Sequence, residues 1–247
     1  MAVAKHFYRK LTTLPNSTNP ITKSVSIRGI IFDMDGTLTL PVLDFRGLRT
    51  KLGMDASTDI LTFADSHPPD KKKEIYQMIH DWEVEGINNM KLRPHLHQLF
   101  YFLKEEQFNV ALLTRNNRTG VDAFIKKFLQ DDNRGVFKSE SDIFSIVLTR
   151  DFTPVKPHPA PLHHICSKWN VSEESVIFVG DDVQDIECGN RAGSVSVLVN
   201  KPNNGNVREI SDFNIDSLSE IVDMLKGEVV VDRTQPRDSH GKIQSEQ

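Results

Sequence analysis

The sequence predicts an α/β fold, a parallel sheet covered by helices on both faces, with a small second unit built of helices alone. Short Ile/Val/Leu/Phe runs alternate with longer amphipathic stretches, the rhythm of βαβ units. The runs are continuously apolar, which marks strands buried on both faces of a parallel sheet. Residues 40–92 interrupt the rhythm with three helix-like segments and no strand-like run.

In chain order, strands are expected at Ile27–Phe32, Asn109–Leu113, Ile143–Leu148, Ser175–Val179 and Val195–Val199. Helices are expected at Pro94–Gln107, Thr119–Gln130, Ala160–Trp169 and Val183–Arg191. Pro94 and Pro159 sit where a first-turn proline is tolerated, and Gly193 where a helix stops. A short element, Phe213–Ile215, and a helix, Ser217–Lys226, complete the core. Inside the interruption, Phe45–Leu52, Thr58–Ala64 and Lys71–Met90 read as helices separated by Gly53 and by His67, Pro68 and Pro69. Ile75, Met78, Ile79 and Trp82 give the last of these one apolar face. Cys166 and Cys188 fall on expected helices as packing residues. Residues 227–247 turn polar and are expected to form a flexible C-terminal tail.

The 247 residues are 38% hydrophobic and 26% charged, with a formal net charge of −4. No run approaches the roughly 18 apolar residues of a membrane span, and the mild acidity gives no reason to expect nucleic acid. Two isolated cysteines exclude a disulfide framework and argue against structural zinc, which suits a reducing compartment. Residues 1–32 hold Lys5, Arg9, Lys10, Lys23 and Arg28 and no acid. Such a start reads either as an organelle transit peptide (mitochondrion or plastid) or as a plain tail, residues 1–26, on a cytoplasmic protein. It lacks the apolar stretch of a secretory signal.

Chemistry concentrates at the strand ends. Ile30, Ile31 and Phe32 run into Asp33-Met34-Asp35-Gly36-Thr37. Alternation along an extended chain lets Asp33 and Asp35 project the same way from the strand's carboxyl end, where open α/β sheets bind ligands. Two carboxylates this close require a proton, a basic side chain or a cation. An EF-hand loop fails, because its sixth and twelfth places hold Leu38 and Asp44; no P-loop pattern occurs. The second strand ends in Thr114-Arg115-Asn116-Asn117, a hydroxyl and polar residues suited to an oxyanion. Lys156 follows among prolines just before a helix. The fourth strand ends in Gly180-Asp181-Asp182, with Asp185 on the same helix face as Asp181. His95 and His97 read as a half-exposed helix pair, and His158, His163 and His164 lack metal-ligand spacing.

These four segments, in this order, resemble the haloacid-dehalogenase (HAD)-like hydrolase superfamily over residues 27–226. The run Val155-Lys156-Pro157-His158-Pro159-Ala160-Pro161-Leu162 and the helical insertion resemble its phosphoglycolate-phosphatase-like branch. The resemblance implies a three-layer Rossmann-like core, residues 27–39 and 93–226, and a helical cap, residues 40–92, that gates entry of a small phosphorylated metabolite. It implies that Asp33 is the nucleophile, forming an aspartyl-phosphate that water hydrolyses, and that Asp35 acts as general acid and then base. Mg²⁺ would sit on the Asp33 carboxylate, the Asp35 carbonyl and Asp181. Asp185 would support that set or Lys156 instead of binding directly, and Asp182 is able to stand in for either acid. Thr114, with Arg115 and Asn116, would hold the substrate, and Lys156 would balance charge on nucleophile and phosphate. Halide displacement needs no second acid, so Asp35 favours phosphoryl chemistry. A phosphatase is therefore the leading expectation, with a sugar-phosphate mutase and a non-catalytic binding module as alternatives. Around the long cap helix, Glu83, Glu85, Asn88, Asn89, Lys91 and Arg93 are candidates to select the substrate; Lys91 or Arg93 would suit a second anionic group. Oligomeric state has no signature in the residues.

Overall fold

In a computed structural model, residues 8–12, 23–42, 45–55, 58, 60–227 and 229–232 are described. The chain divides into two units, residues 1–39 with 92–247, and residues 40–91. The elements run β1 (Tyr8–Thr12), β2 (Lys23–Ser26), β3 (Gly29–Phe32), α1 (Phe45–Leu52), α2 (Ile60–Asp65) and α3 (Pro69–Asn88). They continue with α4 (Leu96–Glu105), β4 (Asn109–Leu113), α5 (Arg118–Gln130), α6 (Glu140–Ile143), β5 (Ile146–Leu148) and α7 (Ala160–Trp169). The remainder are β6 (Val176–Gly180), α8 (Val183–Ala192), β7 (Val195–Val199), β8 (Phe213–Ile215), α9 (Ser219–Lys226) and β9 (Val229–Asp232).

Six strands form one sheet in the order β5-β4-β3-β6-β7-β8, with every neighbouring pair parallel. This is the α/β architecture the apolar runs predict. Ile30, Ile31, Phe32, Ile177, Val179, Val195 and Val197 have no exposed surface, as strands covered on both faces require. Successive residues face opposite layers. Ile31, Ala111, Leu113 and Phe178 pack with Leu162, Ile165 and Cys166 of α7 and with Cys188 and Ala192 of α8. Phe32 turns the other way, its ring 5.5 Å from Phe100 of α4. Phe100 in turn meets Phe128 of α5 at 5.3 Å and Phe144 at 5.6 Å. His97 belongs to this aromatic layer, stacked on Phe128 at 4.4 Å with Nε2 2.9 Å from the Phe128 carbonyl oxygen.

The chain runs from β3 outward through β4 to β5, then returns to the other side of β3 as β6. The carboxyl ends of β3 and β6 therefore flank a topological switch point, the usual binding crevice of an open α/β sheet. Asp33 and Asp181 follow those two strands directly.

Several elements differ from the sequence expectation. The helix expected from Pro94 starts only at Leu96 and ends at Glu105, because His95 (φ 65) and Gln107 (φ 58) take left-handed backbone on either side. The run expected as one strand, Ile143–Leu148, splits in two. Ser139 and Asp142 close a capping box that winds Glu140–Ile143 into a helical turn, and the strand begins at Ile146. The terminal segments expected as tails contain strands: β1 pairs antiparallel with β2 and parallel with β9. The Val229-Val230-Val231 run is β-branched throughout and favours extended backbone. Residues 1–7, 13–22 and 233–247, which carry most of the expected leader and tail, lie outside the described residues.

In the unit of residues 40–91, α2 and α3 bury Ala64, Ile75 and Ile79, with Leu52, Ile60, Phe63 and Met78 packed around them. Asp65 receives the Lys72 ammonium at 2.7 Å and the Tyr76 hydroxyl at 2.9 Å.

One buried acid anchors the aromatic layer. Asp132 accepts hydrogen bonds from the Tyr101 hydroxyl, from Phe137 N–H at 2.8 Å and from Arg134 N–H at 3.1 Å. Burial alone would raise its carboxyl, but these donors hold it down at about 2. Asp132→Ala is expected to cost about 2–3 kcal/mol of unfolding free energy at neutral pH, because it orphans three donors. A depressed folded-state pKa contributes stability that is present above the unfolded value and lost as pH falls through the folded one. Urea denaturation should therefore show the difference between wild type and variant shrinking from pH 4 toward pH 2. A difference independent of pH would contradict this assignment.

Candidate active site

The site grows from four strand ends. Asp33 leaves β3 with its N–H still bonded to Val179 O on β6 at 2.9 Å, so its backbone is held by the neighbouring strand. The chain then coils tightly: Leu38 and Thr39 N–H groups and the Thr39 hydroxyl all donate to Met34 O. Gly36 has φ +82, and a Cβ there would stand 2.2 Å from Asp181 Oδ2. Both facts demand glycine. Arg93 clamps the same turn, donating from Nε to Thr37 O at 2.9 Å and from Nη2 to Gly36 O. Arg93, which the sequence offers as a candidate for substrate selection, thus also braces the turn that follows Asp33.

Lys156 is 4% exposed, and its ammonium spends its three protons on Asp33 Oδ1 (2.7 Å), Asp185 Oδ1 (2.6 Å) and Leu113 O (3.1 Å). Asp185 reaches it from the first turn of α8, where its Oδ2 also accepts the N–H groups of Asp181 (3.2 Å) and Asp182 (3.1 Å). Gly180 makes room, since a Cβ there would meet the Asp185 side chain at 2.2 Å. Asp182 caps α8 by accepting from Gln184 N–H at 3.2 Å. Its side chain is more than half exposed, with Oδ2 4.0 Å from Lys201 Nζ.

Asp33, Asp181 and Asp185 are all buried, and each offers a ligand atom within 4.8 Å of the others. Burial raises the Asp33 carboxyl well above its ordinary value; Lys156 opposes this, and Asp185, Asp181 and Asp35 reinforce it. Burial would lower the Lys156 ammonium, but Asp185 and Asp33 together raise it instead. Asp181 is pushed up to about 6 by burial and by Asp185, against the pull of Lys201. The cluster sets three buried carboxyl groups against two lysines. An all-oxygen, carboxylate-rich donor set with that excess fits a hard divalent cation and does not suit a soft one.

Thr114, at the end of β4, is buried, and its hydroxyl oxygen accepts Asn116 N–H at 3.0 Å. It thereby keeps its own hydrogen for an outside oxygen. Asn116 Nδ2 donates to Asp35 Oδ2 at 2.9 Å, while its Oδ1 accepts Asn117 N–H at 2.8 Å. The amide is thus fixed at both ends and orients Asp35. Arg115 extends to Gln184 on α8, donating to Oε1 at 2.5 Å. Sequence reasoning passed over Gln184, Lys201 and Asn204. Lys201 Nζ lies 2.6 Å from Asp181 Oδ2, and Asn204 Nδ2 donates to Asp181 O at 3.0 Å. The available signal was position: both follow the strand Val195–Val199 at the same end of the sheet as the acids.

A family profile described as haloacid dehalogenase-like hydrolase matches residues 48–199, a span that contains Thr114, Lys156 and Asp181. A haloacid dehalogenase-like hydrolase domain-containing protein of Arabidopsis thaliana is 38% identical over 218 residues, covering 81% of this chain and 84% of that protein. An uncharacterized hydrolase of Saccharomyces cerevisiae is 35% identical, covering 81% and 91%. A phosphoglycolate phosphatase of Mannheimia succiniciproducens is 31% identical over a shorter stretch, 58% of this chain and 60% of that enzyme. Among solved structures, a predicted phosphoglycolate phosphatase from Haemophilus somnus aligns with a TM-score of 0.59 at 21% identity, covering 80% of this chain and 97% of that one. CbbY of Rhodobacter sphaeroides, in complex with xylulose-(1,5)bisphosphate, aligns equally well at 18% identity, covering 81% and 99%. These two share the fold. The chain belongs to the haloacid dehalogenase-like hydrolase family.

Proposed function

We propose that this hydrolase is a Mg²⁺-dependent phosphatase that cleaves a small phosphomonoester through an aspartyl-phosphate on Asp33. One observation carries the reading: a buried carboxylate at the switch point, with one oxygen held by Lys156 at 2.7 Å and two further acids beside it. Lys156 fixes Oδ1 of Asp33 and so presents Oδ2 as the attacking atom. That oxygen forms a bond to phosphorus, the bond to the leaving alcohol oxygen breaks, and Asp35 gives that oxygen its proton. Asp35 then takes a proton from water as the water attacks phosphorus, the bond to Asp33 breaks, and inorganic phosphate leaves. Asn116 keeps Asp35 in place for both transfers. The Thr114 hydroxyl donates to a phosphoryl oxygen, and the Lys156 charge lies beside the group transferred. The Asp33 and Asp181 carboxylates and the Asp35 carbonyl would hold the Mg²⁺, with Asp185 tied instead to Lys156 and two backbone N–H groups. Bound there, the ion would supply the positive charge that lets an anionic nucleophile approach an anionic phosphate. The names of the relatives favour hydrolysis over transfer to a second sugar hydroxyl.

The test is phosphate release from p-nitrophenyl phosphate and a panel of metabolite phosphomonoesters. Release is expected with Mg²⁺, none in EDTA, and full recovery when Mg²⁺ is returned. No release from any ester with Mg²⁺ present would overturn the reading. Asn116→Ala is expected to lower kcat about tenfold with a smaller change in KM. A change confined to KM would instead assign Asn116 to substrate binding.

A further inference from the structure

Lys201 has no part in the chemistry above, yet its position is built. It lies just beyond β7, in a loop tied to the site by Asn204, which is 2% exposed. Asn204 Nδ2 donates to Asp181 O at 3.0 Å and to Val199 O at 2.9 Å, while its Oδ1 accepts Lys201 N–H at 3.0 Å. The loop is thereby registered against Asp181, and Lys201 Nζ lands 2.6 Å from Asp181 Oδ2. The two lysines of the site differ in freedom. Lys156 is 3% exposed in its side chain and bonded to three acceptors inside the fold, so it cannot leave. Lys201 is 27% exposed. It borders a cleft of about 430 Å³ that Arg208 and Asp216 also line. The Asp216 carboxylate on that wall accepts Asn200 Nδ2 at 2.8 Å, and the other acid near the Lys201 ammonium among the described residues is Asp182, whose Oδ2 lies 4.0 Å away.

A divalent ion on Asp181 and an ammonium on the same carboxylate repel each other at close range. We propose that Lys201 is the resident counter-cation of Asp181, which the divalent ion must displace, so that Lys201 weakens metal binding and steadies the metal-free site. This rests on the metal site proposed above. Lys201 acts through Asp181 and is a positioning residue.

The experiment is Mn²⁺ binding to the metal-free full chain by calorimetry, together with thermal unfolding in EDTA. Lys201→Met is expected to bind Mn²⁺ about tenfold more tightly and to unfold at a lower temperature in EDTA. Lys201→Arg keeps the cation and should stay within about twofold of wild type. In unaltered protein, acylation of the Lys201 amine, mapped by peptide mass, should speed up on adding Mn²⁺; this readout serves even if Lys201→Met fails to fold. Unchanged or weaker binding in Lys201→Met, or a labelling rate indifferent to Mn²⁺, would overturn the inference alone. Failure of wild type to bind Mn²⁺ would overturn it together with the metal site.

Discussion

Asp33→Asn is expected to lower phosphomonoester hydrolysis at saturating Mg²⁺ by at least about a thousandfold, while the metal-free variant unfolds at or above the wild-type temperature. The amide lacks the charge needed to attack phosphorus but still offers an oxygen to Lys156. Burial and the neighbouring acids Asp185, Asp181 and Asp35 disfavour the Asp33 anion despite Lys156. Neutralising it relieves that cost in the absence of metal. The pair of readouts matters: a loss of rate with an intact or raised unfolding temperature assigns Asp33 to chemistry. An equal loss accompanied by a sharp fall in unfolding temperature would make Asp33 a structural residue.

Lys156→Met acts in the opposite sense. Removing the buried ammonium leaves Asp33 and Asp185 facing each other without their shared cation, and leaves Leu113 O without that donor. Breaking such a buried arrangement by deleting one partner costs about 3–5 kcal/mol. Urea denaturation in EDTA should show a loss of that size, and added Mg²⁺ should recover part of it by placing positive charge among the same acids. Hydrolysis is expected to fall about a hundredfold even with Mg²⁺ saturating. A metal-free Lys156→Met as stable as wild type would show that the three buried acids do not depend on Lys156.

The parts of the fold that were legible in the sequence are those whose local pattern and burial agree. Asn109–Leu113, Val195–Val199, Phe213–Ile215 and Ala160–Trp169 fall where their apolar runs and flanking breakers put them. Ile143–Leu148 was misread because a short apolar run has the same appearance whether it packs as a helical turn or as a strand. There the Ser139–Asp142 capping box decides, and it lies outside the run itself. Of the terminal strands, β1 and β2 were hidden by mixed polar composition, and the short Val229–Val231 run of β9 by the polar stretch that follows it. At the site, Asp33, Asp35, Asp181 and Asp185 stood out because they follow strand ends in a recognisable spacing, and Lys156 because it lies among prolines just before a helix. Lys201 and Asn204 did not, because their relation to Asp181 exists only once β7 lies beside β6. The bonds of Arg93 to Gly36 O and Thr37 O were hidden for the same reason: these partners are more than fifty positions away in sequence.

The measurement that bears most directly on Asp33 as nucleophile is a rapid acid quench of wild-type protein turning over a phosphomonoester with Mg²⁺, followed by peptide mapping. The expected result is a hydroxylamine-sensitive phosphoryl group on the peptide that carries Asp33, absent without Mg²⁺ and absent from Asp33→Asn. A phosphoryl group on a different residue, or steady hydrolysis by Asp33→Asn at the wild-type rate, would contradict it.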